Sequence, residues 1–368
     1  MIWISLSAGI LYLALIALFL IGWERLKNFT PGTKYPQFLL SVIVPMRNEE
    51  TNIGQLLSDI NRQIYPSRYI EVIVVDDHSD DRSCNEATKF LSGSSRLLSL
   101  PENKSGKKAA LLTGIENSHG EVIVTTDADC RVPETWLSTL ACYVEEYSPS
   151  LLLAPVCGIT NSFFDEIQEL EILSLQGSTA GSAGIHHPVL SNGANLTFSK
   201  NMYWEICHLY DEKKIHSGDD MFLLHELKRT YPNRIHFLKS KQATVYTKLA
   251  PDLPSFFRQR KRWTSKARFY TDFDTIITAL IVFGINATIL SSILYGIISG
   301  SFLPLFILFF TKSSVDFLFL CRITRFFDQK RLMWWFPIVQ SFYFLYICFT
   351  VFTAFISPSA WKNRKIKY

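Results

Sequence analysis

Acidic residues that could bind a metal ion recur at four places along one segment of the sequence, and a cationic run follows them. The acidic places are Glu49-Glu50, Asp76-Asp77, Asp127-Ala-Asp129 and Asp219-Asp220, and the run is Gln259-Arg-Lys-Arg-Trp263. Hard divalent cations prefer carboxylate oxygens and often bridge them to phosphates, whereas arginine binds phosphate through its planar fork. The order of these parts predicts a site for a metal and a phosphorylated ligand, with the cationic run receiving a departing diphosphate.

Short apolar runs place these acids at the ends of strands. Such runs cover residues 39–45, 70–75, 96–100 and 121–126, and helical spacing covers 52–64, 83–91 and 104–115. Near-continuous apolar strands that alternate with helices predict an α/β fold with a doubly wound, mostly parallel sheet. Ligands bind at the carboxyl ends of the strands in such sheets, and Asp76, Asp77 and Asp127 fall there.

Other interpretations of the acidic pairs are also weighed. Asp-x-Asp is typical of surface turns, and Asp219-Asp220 could begin a helix over residues 221–227. An apolar run typical of a buried strand precedes Asp127, and another precedes Asp76. This context favours a metal site over a surface turn. The sequence contains neither G-x-G-x-x-G after the first strand nor G-x-x-x-x-G-K-[ST], so a dinucleotide enzyme and a P-loop NTPase are not expected.

Composition predicts a membrane protein. Of the 368 residues, 48% are hydrophobic, and the mean hydropathy is +0.13. Residues 2–22 are apolar, uncharged and long enough to span a bilayer, and they lack the charged start and small-residue cleavage site of a signal peptide. Three more candidate spans cover about 276–298, 302–320 and 335–356. The second contains Lys312 and Asp316, which are expected to face other helices.

These features divide the chain into five predicted parts. They are an anchor over 1–23, an α/β domain over 24–254, an amphipathic interfacial segment over 255–274, about three spans over 275–358, and a basic tail over 359–368. Charges appear only after the first span, which predicts a multi-pass protein of the cell membrane with a cytoplasmic catalytic domain. Four spans would place the basic tail outside, unless one segment is re-entrant, and this alternative stays open.

Charge and cysteine content argue against a nucleic-acid-binding protein and against a cysteine metal site. The net charge is +4, and the basic residues lie near the spans, which suits anionic lipid better than nucleic acid. The seven cysteines show no metal-binding spacing and are expected to be reduced.

Seven short pieces between about residues 40 and 263 occur in a recognisable order. They are Ser41-Val-Ile-Val-Pro-Met-Arg-Asn-Glu-Glu50, Val74-Val-Asp-Asp-His-Ser79, Gly106-Lys-Lys-Ala-Ala-Leu-Leu-Thr-Gly-Ile115, Thr126-Asp-Ala-Asp129, Asn192-Gly-Ala-Asn195, Gly218-Asp-Asp220 and Gln259-Arg-Lys-Arg-Trp263. Together they resemble a membrane-bound family 2 glycosyltransferase of the GT-A fold, in the style of ceramide glucosyltransferase-like enzymes and of hyaluronan, chitin and cellulose synthases.

The resemblance implies roles for the donor-binding residues. Those that would bind substrate are Pro45, Arg47, Glu49, Asp76, Asp77, Lys107, Asp127, Asn195, Gln259, Arg262 and Trp263. The first five would border the nucleoside, and Lys107 would reach the diphosphate. Asp127 and Asp129 would hold Mg²⁺ or Mn²⁺, which neutralises charge on the leaving group.

The resemblance also implies an inverting transfer with one general base. Asp220 is the predicted base. Asp219 could raise its pKa by like-charge repulsion or orient the acceptor, and the assignment between the two stays open. Gln259, Arg262 and Trp263 would lie at the mouth of the site, with Arg262 on the diphosphate and Trp263 against the acceptor.

The expected activity is transfer of a sugar from a nucleotide-diphosphate sugar, UDP-linked by preference, to a lipid acceptor in the membrane. The alternative is a processive polysaccharide synthase, and a remote one is a catalytically silent, nucleotide-binding membrane scaffold. No protein partner is predicted.

Overall fold

The computed structural model describes residues 1–207 and 219–356, with only the backbone of Asp219 and of residues 360–361 and 364–365. The chain forms two compact units. One, here the sheet unit, comprises Leu26–Ile159 and Leu190–Lys248. The other, here the helical unit, comprises Met1–Arg25, Thr160–Val189 and Leu249–Lys367. Most of the predicted basic tail lies outside the described residues.

The helices and strands have the following bounds in chain order. The strands are β1 Leu40–Met46, β2 Ile70–Asp76, β3 Arg96–Ser99, β4 Val122–Thr125, β5 Leu151–Leu153, β6 Val156–Gly158, β7 Leu196–Ser199, β8 Ile235–Phe237, β9 Val245–Thr247, β10 Ala360–Trp361 and β11 Arg364–Lys365. The helices are α1 Ile2–Arg25, α2 Ile53–Asn61, α3 Ser83–Phe90, α4 Lys107–Glu116, α5 Trp136–Tyr147, α6 Phe163–Gly184, α7 Lys200–Cys207, α8 Asp219–Thr230, α9 Leu253–Ser265, α10 Phe273–Ser299, α11 Leu303–Phe326 and α12 Phe336–Ile356.

The sheet unit is built on a seven-stranded sheet in the order β3-β2-β1-β4-β7-β5-β8. The first four strands of that order are parallel, and β7 runs antiparallel to both β4 and β5. The predicted α/β class and mostly parallel sheet are confirmed. Register pairs Met46 at the end of β1 with Asp76 at the end of β2, so the chain segments that carry the acids leave the sheet at one edge.

Alternation along β1 buries both faces of the sheet. Val42 and Val44 are fully buried in a core with Leu56 of α2 and Trp136 of α5. Ile43 faces the other side, where a methyl group added to Gly114 of α4 would meet its side chain at 2.4 Å. Helices therefore cover both faces, as the continuous apolar strand predicts.

Among the described residues, the helical unit contains four helices long and apolar enough to cross a membrane, over residues 2–25, 273–299, 303–326 and 330–356. α1 and α11 lie side by side. Tyr12 contacts Asp316, and further along both helices Trp23 contacts Phe326, which shows that the two helices run in the same direction. The four spans predicted from composition correspond to these four helices.

The charged residues of α11 face other helices, as predicted. Lys312 is 2% exposed, and its Nζ donates to Asp316 Oδ2 at 2.6 Å. Tyr12 and Gln340 also donate to the Asp316 carboxylate, at 2.6 and 3.1 Å. The ion pair is thus fully supplied with polar partners, as a charge within apolar helices requires.

α6 belongs to the helical unit, although the sequence placed residues 160–189 inside the predicted 24–254 domain. Glycines let its backbone touch that of α1. A methyl group on Gly181 would lie 2.3 Å from the Phe19 carbonyl oxygen, and one on Gly22 would lie 1.8 Å from the Gly181 carbonyl oxygen. Such close backbone approach through small residues is typical of helix pairs in membranes.

Gly181→Ala is expected to destabilise the helical unit, because the clash is with backbone that cannot rotate away. Overpacking costs about 1–3 kcal/mol or more, which should lower the melting temperature and the monodisperse fraction in detergent. Gly284→Ala in α10 is the matched control, since no described atom lies within 4 Å of the added methyl group. An equal melting temperature for both variants would contradict the close packing.

Candidate active site

The turn after β2 holds two buried aspartates. Asp76 and Asp77 are 5% and 1% exposed. The Asp76 carboxylate accepts from the Ser79 backbone N–H at 3.2 Å, which closes a tight turn. His78, with a φ of 53°, is a turn residue, and its Nε2 lies 2.9 Å from the Lys104 carbonyl oxygen.

The loop after β1 lies against the same turn. Arg47 donates from Nη1 to the Asp77 carbonyl oxygen at 2.8 Å, and the same nitrogen lies 3.7 Å from Asp77 Oδ2. Glu49 accepts from the Asn52 side chain at 2.6 Å, while Pro45 occupies β1 opposite Val75. The structure therefore brings together Arg47 and the two aspartates that were predicted to border a nucleoside.

The Asp-x-Asp pair follows β4. Lys107, the first residue of α4, donates from Nζ to Asp127 Oδ1, so the predicted diphosphate lysine and one predicted metal ligand are in contact. Burial raises the pKa of Asp129 to about 7, with the charges of Asp127 and Glu49 adding to the effect. Two carboxylates and Glu49 thus repel one another at this strand end, and a cation would relieve that repulsion.

The residues at this strand end fit a divalent ion that keeps other ligands. Within residues 1–207 and 219–356, no group of three His, Cys, Asp or Glu side chains is placed to hold one ion. Mg²⁺ and related ions are commonly held by one or two carboxylates together with substrate phosphates. Asp127 and Asp129 supply that number of ligands, so the donor set suits a metal that arrives with a diphosphate.

The loop that contains Gly193 lies between Asp220 and Lys107. Asp220 Oδ2 accepts from the Gly193 N–H at 3.2 Å, and Asp220 Oδ1 accepts from the Met221 N–H at 3.0 Å. Thr125 at the end of β4 donates to the Gly193 carbonyl oxygen at 2.8 Å. A methyl group on Gly193 would lie 3.7 Å from Lys107 Nζ and 4.0 Å from Asp220 Oδ2.

That geometry unites the predicted base with the predicted diphosphate lysine around one backbone position. Asp220, Thr125 and Gly193 also line a small cavity of about 40 Å³. Sequence reasoning missed Thr125 and the Gly193 backbone, although the Asn-Gly-Ala-Asn motif was a signal for the loop. The side chain of Asp219 lies outside the described part of the chain.

Asn195 was predicted to bind substrate, and the structure places its side chain in the protein interior. It is 1% exposed, and its Nδ2 donates to the carbonyl oxygens of Pro155 and Ala243, both at 2.8 Å. Its Oδ1 accepts from Trp136 Nε1 at 2.9 Å. Every polar atom of the carboxamide is therefore bonded within the sheet unit, which is the geometry of a residue that holds the Gly193 loop.

Asn195→Ala is expected to lower the thermal stability of the protein, since three buried groups would lose their partner at about 1 kcal/mol each. The measurement is the melting temperature in detergent. Asn161→Ala is the control, because the Asn161 side chain is exposed. A melting temperature that falls no further for Asn195→Ala than for Asn161→Ala would contradict the interior role.

Gln259, Arg262 and Trp263 lie on α9 in the helical unit, next to a buried arginine, Arg260. The helix begins at the N-cap Asp252, whose side chain accepts from the Ser255 N–H. A short 3-10 helix, Lys266–Phe269, continues it, so the predicted 255–274 segment is largely helical. All three residues are partly exposed.

Comparison with known proteins matches a family model to part of this chain and finds a solved structure of similar fold. Residues 41–190 match the model described as glycosyl transferase family 2. Glycosyltransferase AglE of Haloferax volcanii is 36% identical over 99 residues, which cover 27% of this chain and 33% of that protein. The undecaprenyl-phosphate 4-deoxy-4-formamido-L-arabinose transferase of Pseudomonas aeruginosa is 35% identical over 102 residues, covering 27% of this chain and 30% of that protein.

The match thus spans about a third of the length of these curated relatives. Among solved structures, mannosyltransferase PcManGT from Pyrobaculum calidifontis in complex with GDP-Man and Mn²⁺ is similar over 93% of this chain and 98% of that chain. The TM-score is 0.56 at 17% identity. This likeness shows the GT-A fold predicted from the motifs.

Proposed function

We propose that this chain transfers a sugar from a nucleotide-diphosphate sugar to a lipid acceptor in the membrane, since residues 41–190 match the model described as glycosyl transferase family 2. One observation carries the proposal. The resemblance assigns Lys107, Asp127 and Asp220 to diphosphate, metal and base. Lys107 and Asp220 both lie near Gly193, and Lys107 also contacts Asp127.

The donor nucleoside, uridine by preference, would lie at the ends of β1 and β2. Asp76 and Asp77 would accept from uracil N–H or ribose hydroxyl groups, with Pro45, Arg47 and Glu49 along the border. Arg47 is held against the Asp77 carbonyl oxygen, so this part of the pocket is already shaped before a ligand enters. Pre-shaped sites lose less entropy on binding.

The diphosphate would lie at the end of β4, against Lys107. Asp127 and Asp129 would hold Mg²⁺ or Mn²⁺ there, and the ion supplies positive charge that stabilises the leaving diphosphate. Lys107 now neutralises Asp127, and its Nζ would turn to the phosphate oxygens when a metal ion binds the carboxylate.

Asp220 would accept the proton of the acceptor hydroxyl. As the acceptor oxygen forms its bond to the anomeric carbon, the bond from that carbon to the diphosphate oxygen breaks, and the nucleoside diphosphate leaves. A single displacement inverts the anomeric configuration. The Gly193 and Met221 N–H groups hold both Asp220 oxygens, which fixes the carboxylate for proton transfer.

A lipid acceptor is supported by the membrane helices and by a relative. In the part of the chain that the structure describes, four helices could cross a membrane, and the Pseudomonas relative is named as an undecaprenyl-phosphate 4-deoxy-4-formamido-L-arabinose transferase. Gln259, Arg262 and Trp263 would act at the acceptor end, with Arg262 on the departing diphosphate. A processive polysaccharide synthase is the second candidate, since the motifs of this chain also resemble those of such enzymes.

The catalytic domain is proposed to face the cytoplasm. Arg25 ends α1, and Lys27 and Lys34 follow it, whereas nothing before residue 22 is charged. Positive residues beside a span favour the cytoplasmic side. Nucleotide sugars made in the cytoplasm would then reach the site directly.

Turnover of labelled nucleotide sugars by the purified, full-length protein tests the proposal. UDP-glucose, UDP-galactose, UDP-N-acetylglucosamine and GDP-mannose are each incubated with protein in membrane lipid, with Mn²⁺ or with EDTA. We expect metal-dependent release of nucleoside diphosphate from one donor. Binding of nucleotides without turnover of any donor would support the silent scaffold and overturn the proposal.

A further inference from the structure

A buried ion pair in the helical unit joins α6 to α9. Arg260 Nη2 and Nε lie 2.7 and 2.9 Å from Glu171 Oε2. The two side chains are 3% and 10% exposed. Tyr346 of α12 donates to the other Glu171 oxygen at 2.6 Å, so both carboxylate oxygens are bonded. Glu171 and Tyr346 lie outside the sequence motifs, and Arg260 lies within the Gln259–Trp263 run but received no role there.

The arginine of this pair contacts two of the three motif residues on α9. Its guanidinium carbon lies 4.4 Å from the centre of the Trp263 ring and 4.5 Å from that of Phe256. Its Nη1 donates to Gln259 Oε1. Arg260 therefore touches the first and last residues of the Gln-x-x-Arg-Trp run, and Glu171 fixes Arg260.

Stability alone does not account for such a pair. Removing two charges from water is costly, and apolar side chains of similar size often stabilise a protein as well or better. Arginine is unlike lysine here, because only its planar fork can bind a carboxylate with two nitrogens and stack on an aromatic ring. The pair orients two side chains of α9. Stacking on Arg260 restricts the rotamers of Trp263, and the hydrogen bond from Arg260 restricts those of Gln259.

We propose that Glu171 and Arg260 are positioning residues for the acceptor end of the site, acting through Trp263 and Gln259. The inference rests on the proposed function, in which those two residues meet the acceptor. Loss of the pair should slow transfer to lipid and leave binding of the nucleotide sugar unchanged, because the donor residues lie in the sheet unit.

Arg260→Lys is the first test, with Arg258→Lys as its control on the same helix, where Arg258 is exposed and donates to Ser255 Oγ. The assay uses membranes that contain the full-length protein, the labelled nucleotide sugar that wild type consumes, and the membranes' own lipid. We expect Arg260→Lys to lower kcat for transfer to lipid by about tenfold or more, with the donor KM within about twofold, because misplacement of about 1 Å is that costly. Arg258→Lys should match wild type.

The exchange Glu171→Arg with Arg260→Glu separates positioning from stability. It rebuilds an ion pair between α6 and α9 but removes the guanidinium from Trp263. We expect it to recover the melting temperature lost in Arg260→Glu alone and to retain the low kcat.

Full kcat in Arg260→Lys, or recovery of kcat together with melting temperature in the exchange, would overturn the inference. Absence of transfer by wild type is a different result, and it would contradict the proposed function itself.

Discussion

Asp220→Asn is expected to lower kcat for sugar transfer by about 10²–10⁴-fold, the usual contribution of a positioned general base. Asparagine can keep the bond from the Gly193 N–H, which is 3.2 Å long in the wild type, but it cannot take a proton from the acceptor hydroxyl. The donor KM should stay close to that of wild type, because Asp220 does not lie at the nucleoside end. Steady-state transfer with the labelled donor measures both constants.

Glu116→Gln, an exposed carboxylate at the end of α4, is the charge-matched control and should behave as wild type. Asp219→Asn distinguishes the roles of the two neighbouring aspartates, and we expect it to lower kcat less than Asp220→Asn does. A drop of less than about tenfold in Asp220→Asn would contradict the base assignment. It would indicate an acceptor that is already ionised, such as a lipid phosphate.

Asp129→Asn is expected to raise the Mn²⁺ concentration for half-maximal activity by about tenfold or more, since a ligand or its close support typically contributes that much to metal affinity. The wild-type carboxylate is crowded by Asp127 and Glu49, which together with burial raise its pKa to about 7. Asparagine removes one charge from this cluster, so it weakens the attraction for a divalent cation.

Titration of activity with Mn²⁺ at constant ionic strength makes the measurement, with Glu116→Gln again as control. Asp127→Asn should show a similar shift and also release Lys107 from its ion pair. An unchanged metal requirement in both variants would refute the Asp-x-Asp site.

Much of the sheet unit could be predicted because its strands are apolar on both faces. The runs that end before Asp76 and Asp127 became β2 and β4 within one or two residues of the predicted bounds, and the carboxyl ends of parallel strands bring those acids to one edge. Local sequence is sufficient to predict these two strands, since strands buried on both faces of a parallel sheet are apolar along their whole length.

α6 was not predictable in the same way. It carries Asp165, Glu166, Glu169 and Glu171 and a run of small residues, a composition that resembles a soluble helix. Its partners are distant in sequence: Glu166 meets Trp335 and Arg331, and Glu171 meets Arg260. These tertiary contacts bind Glu166 and Glu171, and a local sequence pattern cannot reveal them.

Asn195, in the candidate active site, is a second residue whose role local sequence could not reveal. The motif around it indicated a ligand-binding residue, whereas its carboxamide bonds to Trp136, Pro155 and Ala243. Buried amides and ligand-binding amides are the same residue type at the same spacing. What distinguishes them is the fate of the hydrogen bonds, which the fold decides.

The fate of the labelled sugar tests the central claim most directly. Membranes that contain the full-length protein are incubated with each labelled nucleotide sugar and Mn²⁺, and the products are divided into an organic-solvent extract and a water-soluble polymer fraction. Our account predicts label in the lipid extract, dependent on Asp220 and on the metal. A long water-soluble polymer, or no product from any donor, would contradict it.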